Sequence, residues 1–197
     1  MTCFLCLQPG GMQDACPCPS SAVHVECLAS FLKSGFAARC PNCFAHFTPA
    51  AVLKAQEILW EQKHSTPNIL KLARAQLDAD LPGDALSLLQ SAAPVPAPYS
   101  LAYDVEFSRA LIQTGQNERA LDRLTAALGK ALMGEQPSPG VDAATACRAV
   151  VLMGRAHMSL GEYGLAETVA RLAVKVLEAE DADELSLDVS LQVGGDR

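Results

Sequence analysis

Residues 3–43 read CFLCLQPGGMQDACPCPSSAVHVECLASFLKSGFAARCPNC. Seven of the chain's eight cysteines lie here, and His24 completes a set of eight donors: Cys3, Cys6, Cys16, Cys18, His24, Cys27, Cys40 and Cys43. They fall into four close pairs, C-x2-C, C-x-C, H-x2-C and C-x2-C. Seven cysteines are an awkward number for disulfides, and the count becomes complete only with the histidine. Tetrahedral Zn²⁺ takes four thiolate or imidazole donors at about 2.0–2.3 Å, and a two-residue gap lets one turn aim both donors at one ion. Eight donors make two closed sites with no open coordination position, which predicts two structural Zn²⁺ rather than a catalytic metal. Which pairs share an ion does not follow from spacing. So short a segment, with few large apolar residues, cannot bury enough surface to fold alone, and metal links would provide the missing free energy.

The segment resembles a RING finger, and histidine as fifth ligand is similar to the RING-CH subclass. The resemblance implies a cross-brace, in which the first and third pairs share one zinc and the second and fourth share the other. Carried over, one site is Cys3, Cys6, His24 and Cys27, and the other is Cys16, Cys18, Cys40 and Cys43. PHD fingers use the same ligand order but carry an aromatic two residues before the seventh ligand, where this chain has Ala38. Pro41 after the seventh ligand and the one-residue gap in Cys16-Pro17-Cys18 resemble RING-CH. Only five residues separate Cys18 from His24, two fewer than in membrane-associated RING-CH ligases.

RING modules bind a ubiquitin-conjugating enzyme and orient its ubiquitin thioester, so the resemblance implies a ubiquitin ligase or ligase adaptor without catalytic residues of its own. The implied contacts are Leu5 between the first two cysteines, Phe31 four residues past Cys27, and Pro41. Leu5 and Phe31 have a plainer reading as filling of a small core. Many active RINGs place a basic residue after the last ligand to make charged hydrogen bonds; here it is Phe44, and no basic residue follows until Lys54. That departure keeps open a second reading, a non-catalytic zinc-finger scaffold for protein–protein interaction.

Charge narrows the partners. The formal net charge is −7, and its excess lies at the end, where Glu178, Glu180, Asp181, Asp183, Glu184, Asp188 and Asp196 face only Arg197. No basic face exists to release counterions from a phosphate backbone, which argues against nucleic acid. Residues 180–197 read as an acidic, solvated, disordered tail. No stretch reaches the roughly 18 apolar residues of a membrane span, and no basic leader precedes an apolar run before Cys3. A cytoplasmic or nuclear location is expected, where thiols stay reduced.

Beyond the finger (1–48) the periodicity becomes helical. Thr48-Pro49 reads as N-cap and first helical residue of a connecting helix within 49–66, with Val52, Leu53, Ile58, Leu59 and Trp60 as its apolar residues. Three later stretches rhyme: ARAQLDADLPGDALSLLQSAA (73–93), SRALIQTGQNERALDRLTAAL (108–128) and GRAHMSLGEYGLAETVARLAV (154–174). Each reads as helix, tight turn, helix. Ala85, Ala120 and Ala166 align at separations of 35 and 46, the excess lying in the loop Gly134–Gly140. The period, with Gly154, His157, Gly161, Tyr163, Ala166 and Ala173 in the third unit, resembles the tetratricopeptide repeat. The resemblance implies an all-α helical-repeat domain, an α-solenoid, over 67–179, whose stacked units share a core and present a face to a client protein. The alternative is an irregular helical bundle. His46, His64 and His157 are dispersed and read as non-catalytic, and Cys147 reads as a core thiol.

Overall fold

Proline marks where several helices begin. Pro49 opens α2 (Pro49–Gln62), Pro67 lies in the first turn of α3 (Thr66–Asp78), and Pro82 opens α4 (Pro82–Ser91); its missing N–H costs nothing there. These follow α1 (Val25–Lys33), and α5 (Ser100–Gln113), α6 (Asn117–Met133), α7 (Ala143–Ser159) and α8 (Tyr163–Ala179) complete eight α-helices among the described residues. The computed structural model describes residues 2–18, 22–92, 94–133 and 143–179. The expected loop at 134–140 and acidic tail at 180–197 lie outside them. No helix among the described residues is long and apolar enough to cross a membrane. The chain divides into two compact units, Met1–Ala92 and Ala93–Arg197.

In the first unit the finger and α2 share one core. Cys3, Cys16, Val23, Leu28, Leu32, Cys40 and Phe47 from the finger are buried in one cluster with Ala51, Ala55 and Leu59 of α2. The deepest face of α2 is thus built on alanines, with Val52 and Ile58 only partly buried beside it and Trp60 stacked on His64 at 4.1 Å. An alanine side chain is a single methyl, so α2 can lie close to α1, against which it packs. Thr48 is the N-cap residue of α2, but its hydroxyl makes no cap bond. It donates instead to the Asp14 carbonyl at 3.0 Å, while its N–H donates to the Ala15 carbonyl at 2.8 Å. The start of α2 is thereby tied to the short 3-10 turn Gln13–Ala15 just before Cys16.

The three rhyming stretches are three helix hairpins with one turn geometry. Each turn has three residues, 79–81, 114–116 and 160–162. Its middle residue has positive φ: Asp80 at 60°, Gly115 at 78° and Gly161 at 78°. The residue after it donates back to a carbonyl five positions earlier: Leu81 to Gln76 at 2.9 Å, Gln116 to Leu111 at 2.8 Å, Glu162 to His157 at 2.9 Å. This is the Schellman stop, in which a left-handed residue satisfies the last carbonyls of a helix. Five residues past each stop lie the buried Ala85, Ala120 and Ala166, and the facing helix places the buried Ala73, Ser108 and Gly154 at matching positions. A Cβ on Gly154 would sit 3.8 Å from Val169 Cγ1 and 3.9 Å from the Ala166 carbonyl oxygen, so small residues set how closely α7 and α8 approach.

In the second unit α5 packs on α6 and α7, and α7 packs on α6 and α8. Leu101, Val105, Leu124, Ala127, Ala149 and Leu152 form its core. Cys147 is buried against Val150 and Ala173, and burial pushes its thiol pKa up; it is a core residue. His157 is half-buried and pairs with Glu162 at 2.6 Å, bracing the last hairpin turn.

Candidate metal centres

The first C-x2-C pair sits on a tight turn. Leu7 N–H donates to the Cys3 carbonyl at 2.7 Å, Cys3 N–H donates to the Gln8 carbonyl at 2.8 Å, and Leu7 has φ 62°. The last pair repeats this: Phe44 N–H to the Cys40 carbonyl at 2.8 Å, Cys40 N–H to the Ala45 carbonyl at 2.8 Å, and φ 59° at Phe44. Two segments remote in sequence thus form the same knuckle, with both sulfurs of each on one side. The other two pairs are placed by different means. His24 is the N-cap residue of α1 and Cys27 lies in its first turn, a spacing that puts both on one helix face. Cys16 and Cys18 follow the 3-10 turn Gln13–Ala15, either side of Pro17.

The donors gather into two groups, Cys3, Cys6, His24 and Cys27, and Cys16, Cys18, Cys40 and Cys43, each with its ligand atoms within 4.8 Å of one another. The first and third pairs meet, and the second and fourth pairs meet, in a cross-brace pattern. The spacing fits a tetrahedral ion: donors at about 2.3 Å for sulfur and about 2.0–2.1 Å for nitrogen give edges of about 3.8 Å (S···S) and about 3.5 Å (S···N). Cys18 Sγ and Cys40 Sγ are 3.8 Å apart, Cys6 Sγ and His24 Nδ1 3.3 Å, and Cys27 Sγ and His24 Nδ1 3.8 Å. Each cluster could therefore hold a metal ion, and soft thiolates with one imidazole suit Zn²⁺.

Hydrogen bonds around the donors support this use. His24 Nε2 lies 3.2 Å from the Pro9 carbonyl oxygen, so Nε2–H donates there and leaves the Nδ1 lone pair for the cluster, the outer-shell arrangement that fixes a ligating histidine. His24 N–H donates to Cys3 Sγ at 3.4 Å. Burial alone would raise the Cys3 pKa, but that N–H and those of Cys6 and Leu5 hold it down to about 6. The other shifted ligand thiols move upward. The Cys43 thiol, burial, and the Cys16 and Cys40 thiols push Cys18 up to about 12. Burial and the Cys6 and Cys3 thiols push Cys27 up to about 12. Burial raises Cys40 past the pull of the Cys43 and Asn42 N–H groups. Crowded thiols resist becoming thiolates together, and a dication at their centre removes that repulsion.

Positioning residues that the sequence reading did not single out are Gly10 and Gly11. Gly11 has φ +109°, and a Cβ there would lie 2.9–3.1 Å from the Val23 backbone N, C and O. Only glycine lets this strand pass under Val23, with which Met12 exchanges backbone bonds of 2.8 and 3.0 Å. That passage carries the Pro9 carbonyl to His24. Gly-Gly between two metal-type pairs was the available signal.

The residues read as partner contacts differ in exposure. Leu5 and Phe31 are half-buried and pack against the finger core, and Pro41 is exposed. Phe31 lies between two rings, stacked on Phe36 at 4.7 Å and edge-on to Phe47 at 6.3 Å. Phe36 forms the outer face of this stack and is 60% exposed. The two knuckle residues are also apolar and outward, Leu7 at 77% and Phe44 at 74% exposure.

Comparison of the chain with protein-family profiles, with curated proteins and with solved structures gives no match in any of the three.

Proposed function

We propose that the finger is a RING-CH-like cross-brace around two structural Zn²⁺ that recruits a ubiquitin-conjugating enzyme, while tetratricopeptide-like hairpins hold a client protein. The observation that carries this reading is the interleaving of donor pairs, first with third and second with fourth, around the helix α1. In this reading Cys3, Cys6, His24 and Cys27 would hold one ion and Cys16, Cys18, Cys40 and Cys43 the other. The ions would fix the two knuckles and transfer nothing themselves. Leu5, Pro41 and the Phe31–Phe36 stack would form the apolar contact. The shared turn geometry of the three hairpins supports the repeat reading. The test is an autoubiquitination assay of the full chain with a panel of conjugating enzymes. Ubiquitin transfer with at least one supports the proposal, and none with any enzyme refutes ligase activity.

A second reading, a non-catalytic scaffold, draws on Phe44. It occupies the place after the last ligand, points outward, and brings no charge. Phe44→Arg separates the two readings. A gain in transfer rate marks a ligase weakened at that position, and no transfer in either form marks a scaffold.

A further inference from the structure

Outside the finger, the second unit leaves an apolar groove open between α7 and α8. Its volume is about 270 Å³, and it is lined by Val151, Gly154 and Met158 on α7 and by Tyr163, Ala166 and Ala170 on α8. The preceding hairpin shows what such a groove accepts. There α7 packs on both α5 and α6, and its Ala149 and Leu152 join Leu101, Val105, Leu124 and Ala127 in one core. The groove of a helix hairpin is thus a seat for a third helix. α8 packs chiefly on α7, and among the described residues the walls of the last groove come from these two helices alone.

The same surface offers a helix face that fits such a seat. Tyr163, Glu167, Ala170 and Val174 follow one another along α8 at spacings of four, three and four, the seam of a helix that packs lengthwise on another. Tyr163 is 71% exposed and Val174 44%, so this seam is open to a partner. The charges are self-complementary as well. Arg155 lines the groove from α7 and Glu167 lines it from α8. Arg155 has no carboxylate partner among the described residues, and burial together with the nearby Arg109 holds its pKa below the usual guanidinium value. Glu167 accepts from Arg171 at 2.7 Å, but both side chains of that pair are exposed, which makes it weak. A carboxylate also has lone pairs for a further donor.

We propose that two copies of this chain associate through this patch, α8 of each lying along the α7–α8 groove of the other, with Arg155 of one copy facing Glu167 of the other. A two-fold axis makes every contact occur twice, so a single patch that carries a groove, a helix seam, one cation and one anion is complete in itself. A partner of another kind would have to bring both the seam and the carboxylate, whereas a second copy already has them. The association uses the second unit alone and does not depend on the finger or on ubiquitin transfer.

The test is sedimentation equilibrium of the full chain. The expected mass is that of two chains, falling towards one on dilution. Arg155→Glu sets carboxylate against carboxylate at both symmetric positions, and Glu167→Arg sets guanidinium against guanidinium, so each variant alone should associate at least about tenfold more weakly. Mixing the two variants should restore a two-chain species, because both cross-pairs then match a carboxylate with a guanidinium. Misfolding of either variant cannot produce that recovery. A parent chain that stays monomeric up to ~100 µM overturns the proposal. So does a single variant that associates like the parent, or a mixture no heavier than its components.

Discussion

Gly11→Ala should release zinc from the finger, and the geometry sets the size of the effect. The new methyl would sit 2.9 Å from the Val23 carbonyl carbon and 3.0 Å from its nitrogen, at φ +109°. The backbone conformation alone costs about 1–3 kcal/mol for a non-glycine residue. Relieving the overlap means moving Val23, which breaks one or both bonds of the Met12–Val23 pair at about 1 kcal/mol each. Val23 precedes His24, so the same shift moves Nδ1 away from Cys6 and Nε2 from the Pro9 carbonyl. The sum is on the order of 3–4 kcal/mol, and because metal binding is coupled to folding of such a module, it appears as a loss of about 100- to 1,000-fold in zinc affinity. Gly35→Ala is the internal control. It also has positive φ, +86°, but nothing lies within 4 Å of its added Cβ, so it should cost only about 1–2 kcal/mol. The assay is competition with a chromophoric chelator, read for both variants and the parent chain. Equal zinc loss in the two variants would show that the glycine strand is not pinned against Val23, and the positioning argument would fail.

Under the proposed ligase reading, Phe36→Ala should weaken binding of a conjugating enzyme by about 2 kcal/mol, roughly thirtyfold, without loss of metal from the finger, because Phe36 is the outer ring of the stack. Phe31→Ala should in addition lower the finger's stability, since Phe31 packs on Phe47 and the core; zinc content and thermal unfolding measured beside binding separate the two roles. Cys147→Ala should leave zinc at two per chain by elemental analysis, as Cys147 lies in the helical core and in neither donor group. Zinc affinity should fall on acidification, because the metal must displace protons from Cys18 and Cys27, whose pKa values are pushed up to about 12. Apparent affinity measured against pH should decrease steadily as the pH is lowered, and an affinity independent of pH would contradict thiolate ligation.

The donor groups were legible in the sequence because a metal ligand pair is a local object: C-x2-C and H-x2-C fit within one turn, so spacing alone marks them. The pairing between them was not, since Cys6 and His24 meet across a chain path that spacing does not encode. It came from resemblance, and the structure gathers the donors in the same two groups. The three hairpins were legible for a similar reason. Gly115 and Gly161 announce a left-handed stop, and the alanines at matching offsets announce close helices, although Asp80 performs the same stop without a glycine. Of the large apolar residues expected on α2, Leu59 is buried in the core, while Val52 and Ile58 are only partly buried and the deepest contacts fall to Ala51 and Ala55. Hydrophobicity scales weigh side-chain size, whereas close helix approach rewards its absence.

What only the tertiary structure decided are approaches between residues remote in sequence. Nothing local says that Gly11 must pass under Val23, or that the Pro9 carbonyl will orient His24. Thr48 was read as the N-cap residue of α2 and holds that position, but the fold brings the Asp14 carbonyl within reach of its hydroxyl, which donates there instead of capping the helix. Phe31 was read either as a partner contact or as core filling, and the fold packs it against the finger core, where Gly35 with its left-handed φ turns the chain so that Phe36 stacks on it. Local spacing determines which atoms can share a turn. Which turns meet depends on excluded volume and hydrogen-bond satisfaction over the whole unit, and those quantities exist only once the chain has closed on itself.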